Sequence, residues 1–292
     1  MRIALRRITR TASRAIHGNP VVRSAKNLRN GLVDGAFRRT AASNGRRLAE
    51  ELVRGGVREA AFTIAFNTPW AVDLLTHQWS RHHPDLHLVV VDNSTDRSAR
   101  GEHENLCRQR RVPYLPLPRN PEWSPNRSHG IALNWVWFNV VRHAGLEVAG
   151  FIDHDCVPVA SIDLRSRLRG LAAYGMRGAS LTHPQAWNLW AGYCFFRPAA
   201  ADGLTVDFKH RIELGLDTGG GNWAGFYRHL DPASVGEAGY RVVQIEVGDG
   251  RPPVPMLLLD EAFLHLDGAS YREAFRDAAT RRRLLETILA RP

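Results

Sequence analysis

Two short apolar runs in this chain each end on a carboxylate. Val89-Val90-Val91 stops at Asp92, and the run over residues 148–152 stops at Asp153. Unalternating runs of this length, rich in β-branched residues, read as strands buried on both faces. Around them the chain alternates strand-like and helix-like stretches. Residues 61–66 read as a first strand, 69–81 as a helix with Pro near its first turn, and 86–91 as the next strand. Residues 98–111 follow as a polar helix, 112–117 as a short strand, and 129–143 as the helix before strand 148–152. This alternation predicts an α/β fold with a mostly parallel sheet flanked by helices. Ligands gather at the carboxyl ends of such strands, where Asp92 and Asp153 fall.

Phe151-Ile152-Asp153-His154-Asp155-Cys156 places two carboxylates one residue apart at the end of an apolar run. Charge there is costly unless something compensates it. A divalent cation, Mn²⁺ or Mg²⁺, would do so while also holding diphosphate oxygens and water. An isolated Asp-X-Asp reads more plainly as a strand running into an Asp-rich turn. The second acidic strand end, Asp92-Asn93-Ser94-Thr95-Asp96, changes that balance, because both ends can face one ligand. Asp92 would accept from a nucleobase or ribose, or else build an Asx-turn or helix cap. His154 alternates to the other side of the strand, away from the acids.

These words, in order from residue 61 to about 270, resemble the glycosyltransferases of family 2 and the wider nucleotide-sugar-dependent transferases of the GT-A fold, a Rossmann-like nucleotide-diphospho-sugar transferase architecture. Thr63-Ile64-Ala65-Phe66-Asn67 is similar to the family's first strand, ending where the nucleoside sits. Val91-Asp92-Asn93-Ser94-Thr95-Asp96 resembles its second-strand signature with a turn one small residue shorter. Arg127-Ser128-His129-Gly130-Ile131 resembles its Arg-Asn-X-Gly-Ile segment, with Ser128 in place of Asn. Asp153-His154-Asp155 falls where the metal-binding Asp-X-Asp belongs.

The resemblance implies a metal-dependent glycosyltransferase, inverting and of hexosyltransferase type, that moves a sugar from a nucleotide-sugar donor to an acceptor hydroxyl. Asn67, Asp92, Arg127 and Asp153 would meet the nucleotide, with Arg127 and His129 near the diphosphate at a helix start. Arg127 pairing with a structural acid is the alternative. Asp153 and Asp155 would hold the cation, and His265, in Leu264-His265-Leu266-Asp267-Gly268, corresponds to a late His that often supplies a third ligand. An ordinary structural His is nearly as good a reading in a chain with 13 of them. Asp217, beside Gly219-Gly220-Gly221 and Trp223, is the candidate base that takes the acceptor's proton. A glycine-rich turn capped by Asp217 explains the same letters, and Asp260 and Glu261 are rival bases. Trp223 could offer its face to a sugar ring, whereas Trp187 and Trp190 read as core.

The net charge of +10 is unevenly spread. Residues 1–58 hold 14 Arg/Lys against 3 Asp/Glu, and the remainder is near neutral with 25 against 26. Residues 1–58 therefore read as a basic, partly helical extension and 59–292 as the catalytic domain, with a nucleotide-binding half over 59–155 and an acceptor-side half over 156–292. Arg2, Arg6, Arg7, Arg10 and Arg14, interleaved with Ile3, Leu5 and Ile8, suit an anionic membrane surface. A solvated arm, a transit peptide or a nucleic-acid contact share that signature; no nucleic-acid partner is expected. A lipid-linked or cell-envelope glycan acceptor follows weakly from the basic arm. Three scattered cysteines fit neither a disulfide framework nor a Cys-X-X-Cys site. With no run long enough to span a bilayer and no secretory apolar region, the expected location is cytoplasmic, peripheral at the inner face of the membrane.

Two readings lie outside glycosyl transfer. A nucleotidyltransferase would also use paired acids, but Phe66-Asn67-Thr68-Pro69 is not a Gly-rich, Lys-containing phosphate loop. A non-enzymatic module binding membrane or nucleic acid would explain the arm and leave the ordered acidic strand ends unexplained.

Overall fold

The computed structural model describes residues 20–246, 253–269, 275 and 277–289. The arginines at positions 2, 6, 7, 10 and 14 lie outside the described residues.

Helices α1 (Pro20–Arg39) and α2 (Ala42–Arg54) precede strand β1 (Glu59–Ala65), helix α3 (Pro69–His82), strand β2 (His87–Asp92), helix α4 (Arg97–Arg110) and strand β3 (Tyr114–Pro116). Helix α5 (Pro125–Asn139) leads to strands β4 (Val148–Asp153) and β5 (Cys156–Pro158). Strands β6 (Ala173–Ala179), β7 (Trp187–Phe196), β8 (Val235–Glu237), β9 (Tyr240–Ile245), β10 (Val254–Leu259) and β11 (Phe263–His265) follow, with helix α6 (Ala278–Leu289) last.

Seven strands form one sheet in the order β3-β2-β1-β4-β7-β6-β8. The half β3-β2-β1-β4 is parallel throughout, and β7 runs antiparallel to both β4 and β6. The β-branched runs explain the parallel half. Val89, Val90 and Val91 are fully buried, as a strand covered on both faces requires. Gly150 in β4 gives room for its antiparallel neighbour, since a Cβ there would sit 2.5 Å from the Phe195 ring. A second sheet, β5-β11-β10-β9, is antiparallel and continues directly from the β4 acids.

Two elements depart from the sequence expectation. Helix α5 begins at Pro125, four residues early, with the proline in its first turn. The expected break at residue 58 does not separate a free extension from a domain. Phe37, Leu48, Ala49 and Leu52 are buried in the core that also contains Phe62, Trp135 and Phe151. Trp135 donates its indole N–H to the Thr40 carbonyl at 2.9 Å, and Asn139 donates to the Arg38 carbonyl at 2.9 Å. Gly45 lets α2 approach so closely that a Cβ there would meet Asn139 Cβ at 2.7 Å.

Candidate active site at the carboxyl ends of the strands

The sheet register brings both acidic strand ends to one edge. In β1, Ile64 lies opposite Asp153 of β4 while Ala65 lies opposite Asp92 of β2. The two acids nevertheless have different surroundings. Asp153 is partly open to solvent, whereas Asp92 is fully buried.

Asp92 accepts from the Ser94 N–H at 2.7 Å with one oxygen. With the other it accepts from the Tyr114 hydroxyl at 2.7 Å and meets His103 Nδ1 at 3.1 Å. Burial alone would push this carboxyl up, yet the His103, Ser94 and Tyr114 hydrogen bonds together bring it down to about 2. The expected contact to a nucleobase or ribose is therefore not what its oxygens do here; they are spent on ordering the turn after β2. Asn67 is similarly committed. Its backbone is left-handed (φ 51°), its amide oxygen accepts from the Thr95 and Asp96 N–H groups, and its own N–H donates to Ser94 Oγ. It clamps the two strand-end loops together. Asn93 extends the clamp by donating to Ser128 Oγ at 3.0 Å.

Arg127 pairs with Glu122 at 3.0 Å, the structural-acid alternative of the sequence reading. That carboxylate is buried and also receives Arg29 of α1 at 2.7 Å. The two guanidinium groups hold Glu122 ionised against its burial. Asp260 and Glu261, the rival bases, are likewise committed. Asp260 accepts from the Tyr174 and Tyr193 hydroxyls, and Glu261 forms a two-pronged pair with Arg241.

Asp153, Asp155 and His265 converge. Each offers a ligand atom within 4.8 Å of the other two. The convergence follows from strand pairing: β11 runs antiparallel to β5 with His265 opposite Cys156, and Leu266 N–H donates to the Asp155 carbonyl at 2.9 Å. Asp155 is nearly closed off. Its Oδ2 accepts from the Gly268 and Ala269 N–H groups at 3.2 and 3.0 Å, presented by a turn in which Asp267 and Gly268 both have positive φ. Its Oδ1 lies 3.4 Å from His265 Nε2. His129, on the first turns of α5, reaches Asp153 at 3.5 Å.

The charges follow from these contacts. Burial and the neighbouring Asp155 charge raise Asp153, against the opposing pull of His129. Burial also works against ionisation of Asp155, but the His265 hydrogen bond and the His154 and His265 charges outweigh it, so Asp155 lies well below the usual carboxylate range. His265 is raised because its pairing with Asp155 outweighs its burial.

A divalent cation suits this donor set. Two carboxylates and an imidazole are ordinary ligands for Mn²⁺, and octahedral ligand atoms at about 2.1 Å from a metal sit about 3 to 4 Å apart. Closing from 4.8 Å takes side-chain shifts of under about 1 Å on that geometry. His265 also keeps Nδ1 buried with no hydrogen-bond partner among the described residues. His154 points away as expected, with Nδ1 3.2 Å from the Ile64 carbonyl.

Asp217 lies on the same side of the site. Asn126 donates to its Oδ1 at 3.1 Å. Asn126 and His129 are three residues apart on α5 and share one face, so one helix start addresses both Asp217 and Asp153. Gly219 (φ 98°) lets this loop press against β7, where a Cβ would lie 2.4 Å from the Leu189 carbonyl oxygen. Trp223 is partly buried and packs edge-to-face with Trp187, which stacks on Tyr227. The indole that reaches the site is Trp190, its ring centroid 4.6 Å from that of His265. Sequence reading missed it because Trp190 lies inside the largely apolar strand Trp187–Phe196 and looks like core.

No protein-family model matches the chain, and no curated protein matches it. Among solved structures it is similar to glycosyltransferases. TarS of S. aureus shares 15% identity at a TM-score of 0.35, over 54% of this chain and 31% of that one. The mannosyltransferase PcManGT from Pyrobaculum calidifontis, in complex with GDP-Man and Mn²⁺, shares 13% at 0.37, over 60% of this chain and 58% of that one. The glucosyl-3-phosphoglycerate synthase from Mycobacterium tuberculosis, with Mn²⁺ and UDP-Glc, shares 14% at 0.34, over 55% and 64%. The matched region is less than two thirds of each of these chains.

Proposed function

We propose that this protein is a metal-dependent glycosyltransferase of inverting type, moving a sugar from a nucleotide-sugar donor to an acceptor hydroxyl. The observation that carries the reading is the Asp153, Asp155 and His265 cluster at the carboxyl end of the sheet's parallel half. A Mn²⁺ or Mg²⁺ ion held by those three side chains would supply positive charge against the diphosphate leaving group. Asp155 is fixed for that task by the Gly268 and Ala269 amides, and Trp190 shields His265 from water on one side. Asp217 takes the proton of the acceptor hydroxyl as its oxygen bonds to the anomeric carbon and the bond from that carbon to the diphosphate oxygen breaks. Asn126 holds Oδ1 of Asp217 and leaves Oδ2 for the proton. Asp92, Asn67 and Asn93 act one step back, as the frame that shapes the nucleoside side of the cleft.

The acceptor in this reading is a cell-envelope or lipid-linked glycan, and residues 1–58 meet an anionic membrane surface from the cytoplasmic side. Among the described residues, no helix is long and apolar enough to cross a membrane. A thermal-shift series with nucleoside diphosphates and their sugars, with and without Mn²⁺, tests the class, since a ligand that binds only the folded state raises its melting temperature. Stabilisation that needs nucleotide and metal together is expected. Stabilisation by neither would reject the proposal.

A further inference from the structure

The three most exposed large apolar side chains among the described residues are Trp123 at 88%, Leu181 at 87% and Ile212 at 75%. All three lie within a few residues of the chain that holds or leads into Asp217. Trp123 lies three residues before Asn126, which binds the Asp217 carboxylate, and three residues of chain reach about 10 Å at most. Leu181 touches the chain two residues before Asp217, where a Cβ on Gly215 would lie 3.0 Å from Leu181 Cβ. Ile212 belongs to the same short turn, which is held to the Leu181 loop by hydrogen bonds from Ser180 to the Leu214 carbonyl and from Thr182 to the Glu213 carbonyl at 3.0 Å.

Helix α1 is fastened to this rim from both sides. Arg29 binds Glu122, the residue before Trp123, and Asp34 binds Lys209 at 2.8 Å, just ahead of the Ile212 turn. On the face of α1 opposite the buried Phe37 stand Leu28 and Leu32, both about two-thirds exposed, in line with Arg39. Residues 20–58 carry nine Arg/Lys against three Asp/Glu, and the sequence ahead of them adds five Arg and no acid.

We propose that the mouth of the site docks on an anionic lipid bilayer, with Trp123, Leu181 and Ile212 entering the headgroup region and the basic α1 and α2 segment lying against the phosphates. This rests on the transferase reading only for its consequence, that the acceptor hydroxyl is delivered to Asp217 from the membrane. Isolated apolar tips on polar loops, one of them Trp and flanked by arginines, match an interface where apolar side chains dip in and guanidinium groups stay with phosphate. A protein partner would instead call for a contiguous apolar patch.

The test is co-sedimentation of the full chain with phosphatidylcholine vesicles and with phosphatidylcholine–phosphatidylglycerol vesicles. It compares the native sequence with a Trp123→Ser, Leu181→Ser, Ile212→Ser variant. Binding to the anionic vesicles alone is expected, weakened roughly tenfold or more in the variant. Bromine-labelled lipid should quench tryptophan emission in the native chain and not in Trp123→Ser. Nucleotide-plus-Mn²⁺ stabilisation, measured on the same samples, should be equal in native and variant protein and confirms that the variant is folded. Undiminished vesicle binding by the variant, which would place the contact on the arginines alone, overturns the proposal, as does native protein that ignores both vesicles while still binding nucleotide. Absence of nucleotide binding in the native chain would instead strike the transferase reading.

Discussion

Replacing Asp92 by alanine separates a ligand contact from a structural one. The carboxylate is fully buried and serves three donors: Ser94 N–H, the Tyr114 hydroxyl and His103. Its displacement from 3.8 to about 2 corresponds to about 2 kcal/mol of preference for the ionised form in the folded state. Alanine also strands buried donors, each costing about 1–3 kcal/mol, and these costs overlap because they belong to one network. The expected loss is about 3–5 kcal/mol of unfolding free energy by urea titration. Asp92→Asn should lose less, since an amide oxygen still serves Ser94. Nucleoside diphosphate affinity, measured where each variant is still folded, should fall in step with stability and not beyond it. Asp92→Ala protein within about 1 kcal/mol of native stability that no longer binds nucleotide would refute this assignment, because no network of this size can vanish without cost.

Two of the groups that make the fold acid-sensitive act in separate pH windows. His83 is driven from 6.5 to about 4 chiefly by burial beside Phe263, so the unfolded chain takes up its proton first. Stability is therefore complete above about pH 6.5 and falls by roughly 3 kcal/mol as pH drops to about 4. Asp92, with its folded value depressed, adds a second loss between 3.8 and about 2. Urea midpoints from pH 7 to 4.5 should show the first loss, and His83→Phe should flatten it; an unchanged slope would remove His83 as its source. Asp217→Asn should lower sugar transfer by about 10²- to 10⁴-fold while leaving metal-dependent nucleotide binding intact. Transfer at the native rate would return the base to another group.

The acids of the site were legible because their signal is local: an apolar run that ends in charge shows in consecutive letters, and the register then places Asp92 and Asp153 on either side of β1. The parallel half of the sheet followed from the same runs. What escaped depends on contacts between residues far apart in sequence. Nothing near Asp92 announces that Tyr114 and His103 will close over it, and nothing near Arg127 announces that Glu122 will pair with it. Arginine content masked the Leu48, Ala49 and Leu52 stripe of α2, so a segment that shares the core looked like a basic, partly helical extension apart from it. The His265 position came from resemblance, and its placement beside Asp155 depends on the β5–β11 pairing that no short motif encodes.

Mn²⁺ binding is the most direct measure of whether Asp153, Asp155 and His265 form one centre. Electron paramagnetic resonance of free Mn²⁺ can be followed as protein is added with a nucleoside diphosphate, in the native chain and in Asp155→Asn. One ion taken up per native chain is expected, weakened by about tenfold or more in Asp155→Asn with the protein still folded. Equal uptake by both proteins would contradict a metal centre at these three residues.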